Sequence, residues 1–134
     1  MYQTLILIGN LGKEPEMRYT PSGQPVTTLS VATNRRYSGV NGQPVKETAW
    51  FRVTVWGKQA ETCNQFLHKG SKVLVEGRLT PDPETGGPRV WESNGRHGAS
   101  YEVTASTVRF LSGREDGEEG ETVDANVVDG DIPF

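Results

Sequence analysis

Trp50, Arg52, Thr54 and Trp56 occupy every second position of the segment TAWFRVTVWGK. In an extended strand that spacing puts all four on one face, with an arginine between two tryptophans. Lys58 follows two residues later. Flat aromatic faces beside cations suit single-stranded nucleic acid, whose unpaired bases stack on rings while the cations follow the phosphates. Two further places repeat the combination. Tyr37 comes directly after Arg35 and Arg36, and Trp91 lies in a stretch that also holds Arg89 and Arg96. Each aromatic taken singly has a plainer reading, since a strand tryptophan is usually packed in a core or an interface. The combination favours stacking, because all four stand beside a cation and outside the expected core faces. Scattered basic residues are most often solubilising, so Lys13, Arg18, Lys46 and Arg78 are left unassigned.

Catalysis finds little support in the same residues. His68 and His97 fall in different elements, and neither has a Cys, His or carboxylate at metal-ligand spacing. Cys63 lies on an apolar helix face, where a small buried hydrophobe is the ordinary role and a nucleophile the exceptional one. No glycine-rich phosphate loop precedes a helix. Glu14 and Glu16 flank a proline in a turn and read as solvated. The expectation is a binding protein, not an enzyme, with no metal and no cofactor. The longest apolar run is Leu5–Ile8, far short of the roughly 20 residues of a membrane span. With no signal-peptide pattern and one cysteine, the chain reads as soluble and cytoplasmic.

The elements that must position these residues are mostly strands. Gly and Pro account for 24 of 134 residues, which favours short strands and many turns over a helical bundle. Strands are expected over Tyr2–Leu11, Val26–Tyr37, Val45–Trp56, Ser71–Thr80 and Tyr101–Leu111. Leu29, Val31 and Thr33, then Phe51, Val53 and Val55, then Val73, Val75 and Leu79 make the inward faces. The run LILI is apolar on both faces of the first strand, which suggests that another subunit covers its outer side. Residues 12–25 read as a turn-rich connection, 38–44 as a loop with a tight Asn41-Gly42 turn, and 81–98 as a projecting loop or hairpin. One helix is expected over Lys58–His68, with Ala60, Cys63, Phe66 and Leu67 as its apolar face and Gly70 as its stop. The order β-β-β-α-β-β suits an all-β, five-stranded Greek-key barrel of the OB type.

The formal net charge of −3 conceals two unlike parts. Residues 1–112 carry 13 Lys and Arg against nine acids, a net +4, and residues 113–134 carry one Arg against eight acids, a net −7. The second part has too little apolar surface to offset the entropy of ordering and is expected to be disordered. Its last residues, Asp129, Asp131, Ile132, Pro133 and Phe134, do not fit a merely solvated tail. They read as a docking peptide, in which Phe134 fills an apolar pocket and the acids steer it to a basic rim. The chain thus divides into a body at 1–112, an acidic linker at 113–128 and a docking peptide at 129–134.

The segments LIGNLGKEPEMRYTPSG, LSVATNRRY, TAWFRVTVWGKQAE and FLHKGSKVLVEGRL, with the terminal DGDIPF, resemble the bacterial single-stranded DNA-binding protein family. The resemblance covers roughly residues 2–111 and the last six. It implies an OB fold, usually a homotetramer, that wraps single-stranded DNA during replication, recombination and repair and is associated with the nucleoid. It puts Tyr37, Trp50, Trp56 and Trp91 where the family stacks bases, and Arg52, Lys58 and Lys69 where it contacts phosphates. Arg35 and Arg36 join that set as the cations beside Tyr37. DGDIPF matches the peptide that recruits helicases, nucleases and polymerase-associated, recombination and repair proteins. Tyr37 stands where a Trp is common, Trp56 where Phe is frequent, and Phe51 where well-known members have His near a subunit contact. Gly130 replaces a common Asp, and residues 81–88 look like an insertion.

Overall fold

The computed structural model describes residues 1–111, so the linker and the docking peptide lie outside the described residues. The strands are β1 (Leu5–Leu11), β2 (Glu16–Tyr19), β3 (Pro25–Ser38), β4 (Pro44–Trp56), β5 (Lys72–Leu79), β6 (Arg89–Ser93) and β7 (Arg96–Phe110), with the helix α1 (Lys58–Phe66) between β4 and β5. Five of them close a barrel in the order β1-β5-β7-β4-β3, which β1–β3 pairing completes. All these neighbours are antiparallel except β4 and β7, which run parallel. This is the expected OB-type barrel. β2 and β6 are additions: β2 lies along the start of β3, and β6 along the start of β7. The turn-rich segment 12–25 therefore holds a short strand that its Gly and Pro content concealed, while 81–98 takes the hairpin form, one of its two expected readings.

Alternation fills the barrel. Leu29 and Val31 of β3, Val53 and Val55 of β4, Val73 and Val75 of β5 and Val103 of β7 are shielded from solvent. Leu7 and Leu11 of β1 complete this layer, with Phe51 packed against it. Val and Leu suit a pleated surface buried on one side. β3 and β4 stay paired in one register from Val26↔Trp56 to Ser38↔Pro44, so they run past the barrel as a long two-stranded arm. The arm turns through residues 39–43, where the Gly39 N–H bonds to the Gln43 carbonyl at 2.7 Å.

The helix covers one end of the barrel. Ala60 and Cys63 are its buried residues, and Leu67, just past its end, is buried with them. Its hold is tertiary. The Thr27 hydroxyl donates to the Ala60 carbonyl at 2.7 Å, and the Gln59 side chain bonds the Ser106 carbonyl and the Val108 N–H at 3.0 and 2.8 Å. Those two bonds sit where the β5–β7 register shifts, which leaves Ser106 out of the ladder.

Two expected core residues are exposed. Phe66 does not join the helix face, because six residues at 3.6 per turn put it about 120° round the helix from Ala60. Leu79 keeps the inward parity opposite Val103, but it lies at the last position of β5, on the barrel rim. The helix also ends at Phe66 and not at His68; Leu67 is already extended.

Candidate nucleic-acid interface

The register of β4 settles which side chains share a surface. Trp50, Arg52, Thr54 and Trp56 face away from the core, opposite Ala32, Ser30, Thr28 and Val26 of β3. Arg36 and Lys46, which pair farther out along the arm, have the same parity. On the other side of β4, Arg52 and Thr54 pair with Glu102 and Thr104 of β7. Along β7 the same parity runs through Ser100 to Gly98, which lies opposite Trp91 on β6. Trp50, Trp56 and Trp91 thus belong to one outer face of the sheet β3-β4-β7-β6. They are 53%, 43% and 46% exposed. Six residues of strand separate Trp50 from Trp56 by about 20 Å.

Tyr37 does not belong to this face. It pairs with Val45 and has the parity of Arg35 and Glu47, so it projects from the reverse of the arm. The Arg35 guanidinium lies over its ring at 4.6 Å and bonds Glu47 at 3.2 Å. Of the two neighbouring arginines, Arg36 shares the face of the tryptophans and Arg35 is engaged on the other. Adjacency in sequence put Tyr37 beside both, but in a strand adjacent residues point opposite ways.

The rings are set by glycines. The indole of Trp50 lies against Gly12, where an added Cβ would stand only 2.6 Å from Cη2. The Gly12 N–H bonds to the Ser30 carbonyl at 2.9 Å, so the segment after β1 rests on the outer edge of β3. The turn between α1 and β5 docks there too. Its Gly70 N–H bonds the Leu11 carbonyl at 2.8 Å, and the Lys69 N–H bonds the Glu14 carboxylate at 3.1 Å. That is how Lys69, distant in sequence, comes to lie beside the segment supporting Trp50. Trp91 lies in the same manner against Gly98, where a Cβ would meet the indole Cη2 at 2.6 Å.

The charges are unevenly committed. Arg52 is 3.7 Å from Glu102, whose side chain is mostly buried. Among the described residues Arg36, Lys58, Lys69, Arg89 and Arg96 are exposed and form no ion pair. Lys58 opens α1, two residues past Trp56. The surface is an anion-attracting face bearing three indoles, with one arginine restrained by an acid. Glu102, Gly12 and Gly98 are parts that sequence reading missed. Nothing local marks Glu102, because its partner is 50 residues away across a parallel pairing.

Elsewhere the chemistry is plain. Cys63 is buried, which pushes its thiol up to about 11. Among the described residues no group of three or more His, Cys, Asp and Glu could hold a metal ion, and no helix is long and apolar enough to cross a membrane.

Residues 2–111 match the Single-strand binding protein family. A single-stranded DNA-binding protein of Helicobacter hepaticus is 36% identical over 120 residues, covering 89% of this chain and 66% of that protein. One from Wolinella succinogenes is 37% identical over 124 residues, covering 90% and 73%. Among solved structures, an SSB of Plasmodium falciparum in complex with ssDNA superposes with a TM-score of 0.67 at 27% identity, covering 83% of this chain and 96% of that one. A deletion mutant of the single-stranded DNA binding protein from Thermus aquaticus superposes with a TM-score of 0.64 at 34% identity, covering 83% of this chain and 51% of the other.

Proposed function

The chain belongs to the single-strand binding protein family, and from that membership we propose that it binds single-stranded DNA without strong sequence preference, protecting it during replication, recombination and repair. It acts by binding, not by catalysis. The observation that carries this reading is the outer face on which Trp50, Trp56 and Trp91 stand half-exposed among cations. Bases stack on the three indoles, each stack contributing about 1–3 kcal/mol regardless of base identity. Arg36, Arg52, Lys58 and Lys69 follow the phosphates, releasing counterions with a salt slope of about 0.7 per contact. Tyr37 and Arg35, on the reverse of the arm, contribute where a strand passes around its edge.

The body assembles with copies of itself, as a homotetramer. Two apolar areas support this: the outer face of β1 and β5, where Ile8 pairs with Leu74 beside the exposed Ile6, and the rim where Tyr101 packs on Phe51 at 5.5 Å. The segment Asp129–Phe134 recruits helicases, nucleases and other genome-maintenance proteins, in the cytoplasm and at the nucleoid.

Titration with oligo(dT) under tryptophan fluorescence tests the central claim. Strong quenching, with duplex DNA and oligo(rU) as poor competitors, is expected; weak quenching or a preference for either competitor would sink it. Removing residues 129–134 should abolish partner binding and leave DNA binding in place. Sedimentation reports the assembly.

A further inference from the structure

The segment between β1 and β2 carries the floor of Trp50 on little backbone support. Gly12 lies beneath that indole, and its N–H bonds the Ser30 carbonyl at 2.9 Å. Strand pairing resumes only at Glu16. Between them, among the described residues, 13–15 make no backbone hydrogen bond, and Pro15 has no N–H to offer. Lys13 pairs with Glu16 at 3.5 Å, an exposed bridge of the kind that contributes little. The Glu14 side chain supplies the tie to the barrel. Its Oε2 accepts the Lys69 N–H at 3.1 Å, while Oε1 lies 3.7 Å from His68 Nδ1, too far for a hydrogen bond. The turn that Glu14 grips is itself fixed. The Gly70 N–H bonds the Leu11 carbonyl at 2.8 Å, the Leu11 N–H bonds the Ser71 carbonyl at 2.9 Å, and the Asn10 amide bonds the Gly70 carbonyl at 3.0 Å. A closed circuit results, from Glu14 through Lys69 and Gly70 to Leu11, and back along the chain through Gly12.

We propose that Glu14 is a positioning residue for the Trp50 stack. By gripping the Lys69 N–H it holds the Gly12 segment against one side of the indole and leaves the other side open to a base. The inference rests on the single-stranded DNA reading and deepens it. On charge alone an exposed carboxylate on this surface opposes binding, since it repels the phosphates that the neighbouring cations attract. Its contribution is geometric. The carboxylate takes the backbone N–H of Lys69 and not the ammonium, so the Lys69 side chain stays exposed and outside any ion pair among the described residues. A hydrogen bond to an ionised acceptor is stronger than one between neutral groups. Without it the segment is anchored only at Gly12 and at the start of β2, and the floor of the ring is free to shift. Sequence reading misses this role, because Glu14 stands beside a proline in a turn and its partner lies 55 residues away.

The test is oligo(dT) titration of the full chain at one fixed salt concentration, with Glu14→Ala and Glu14→Gln, each made alone and in a Trp50→Ala background. Both variants remove the same charge, but glutamine keeps an oxygen that accepts the Lys69 N–H. Glu14→Gln should therefore bind as tightly as the unaltered chain or more tightly. Glu14→Ala should bind about threefold or more weakly than Glu14→Gln, from partial loss of one stack. Glu14→Ala should also shift the tryptophan emission of the DNA-free protein. In the Trp50→Ala background the two variants should bind alike, and the emission shift should vanish. Equal affinities for Glu14→Ala and Glu14→Gln with Trp50 present would overturn the positioning role, leaving Glu14 only a charge. A gap between them that persists without Trp50 would overturn it too, since the segment would then support something other than that ring. If the unaltered chain fails to bind oligo(dT), the functional reading itself falls, while the emission shift still reports whether Glu14 sets Trp50.

Discussion

Replacing Trp50 with alanine separates two contributions of one side chain. A tryptophan buries on the order of 200 Å² when fully covered, and this one is 53% exposed. About half, near 100 Å², therefore rests on Gly12 and the sheet. At 25 cal/mol per Å² that contact is worth about 2.5 kcal/mol of folding stability, an upper bound because the unfolded chain also buries some of this area. On the proposed reading the open half faces DNA. Losing it costs one stack, about 1–3 kcal/mol, which weakens binding about 5- to 150-fold. No charge is removed, so the salt slope should match that of the unaltered chain. The assays are urea unfolding followed by circular dichroism and oligo(dT) titration at several salt concentrations, run where the variant is fully folded. Arg52→Ala gives the contrast, with a slope shallower by about 0.7. A Trp50→Ala protein that is folded and binds within twofold of the original would refute the stacking assignment. A slope change as large as that of Arg52→Ala would refute the division between ring and cation.

Other consequences are independent of that one. Glu102→Gln should free Arg52 from its 3.7 Å partner and tighten DNA binding at low salt; an equal or weaker affinity would show that Glu102 orients Arg52 instead of restraining it. Deleting residues 113–134 removes a net −7 tethered to a net +4 body, so DNA binding should tighten, and more at low salt than at high. The Cys63 thiol, pushed up to about 11 by burial, should resist alkylation of the folded chain at pH 8 and react on unfolding. Because that value is raised, its contribution to stability is full below the ordinary 9.0 and lost as pH climbs toward 11, at up to about 1.4 kcal/mol per unit. Unfolding midpoints across that range, compared with Cys63→Ala, would reveal it.

Much of the molecule was legible in one dimension. The two-residue period of TAWFRVTVWGK put Val53 and Val55 inside and Trp50, Arg52 and Trp56 outside, because a strand offers only two sides. The same rule carried the inward faces of β3 and β5, apart from Leu79 on the rim. Counting outward from the 39–43 loop would even have separated Tyr37 from Arg36, yet closeness in sequence suggested a single cluster. The helix showed the limit of pattern reading: Phe66 looked periodic at six residues from Ala60 and in fact falls on another side. β2 was hidden because four residues among prolines and glycines carry too little alternation to register, and for the same reason the 81–98 segment that holds β6 was left between a loop and a hairpin.

The sequence by itself determined the five barrel strands, their faces, the residue types offered on each face and the division of charge, since all of these depend on residue type and on short, fixed periods. The tertiary structure decided which distant pieces meet. The parallel pairing of β4 with β7 set Glu102 against Arg52 and carried Trp91 onto the face of Trp50. Closure of the barrel brought Gly12 beneath Trp50 and the Lys69 turn beside it. These contacts join residues up to 59 apart, and no local period encodes which strand will be the neighbour of which.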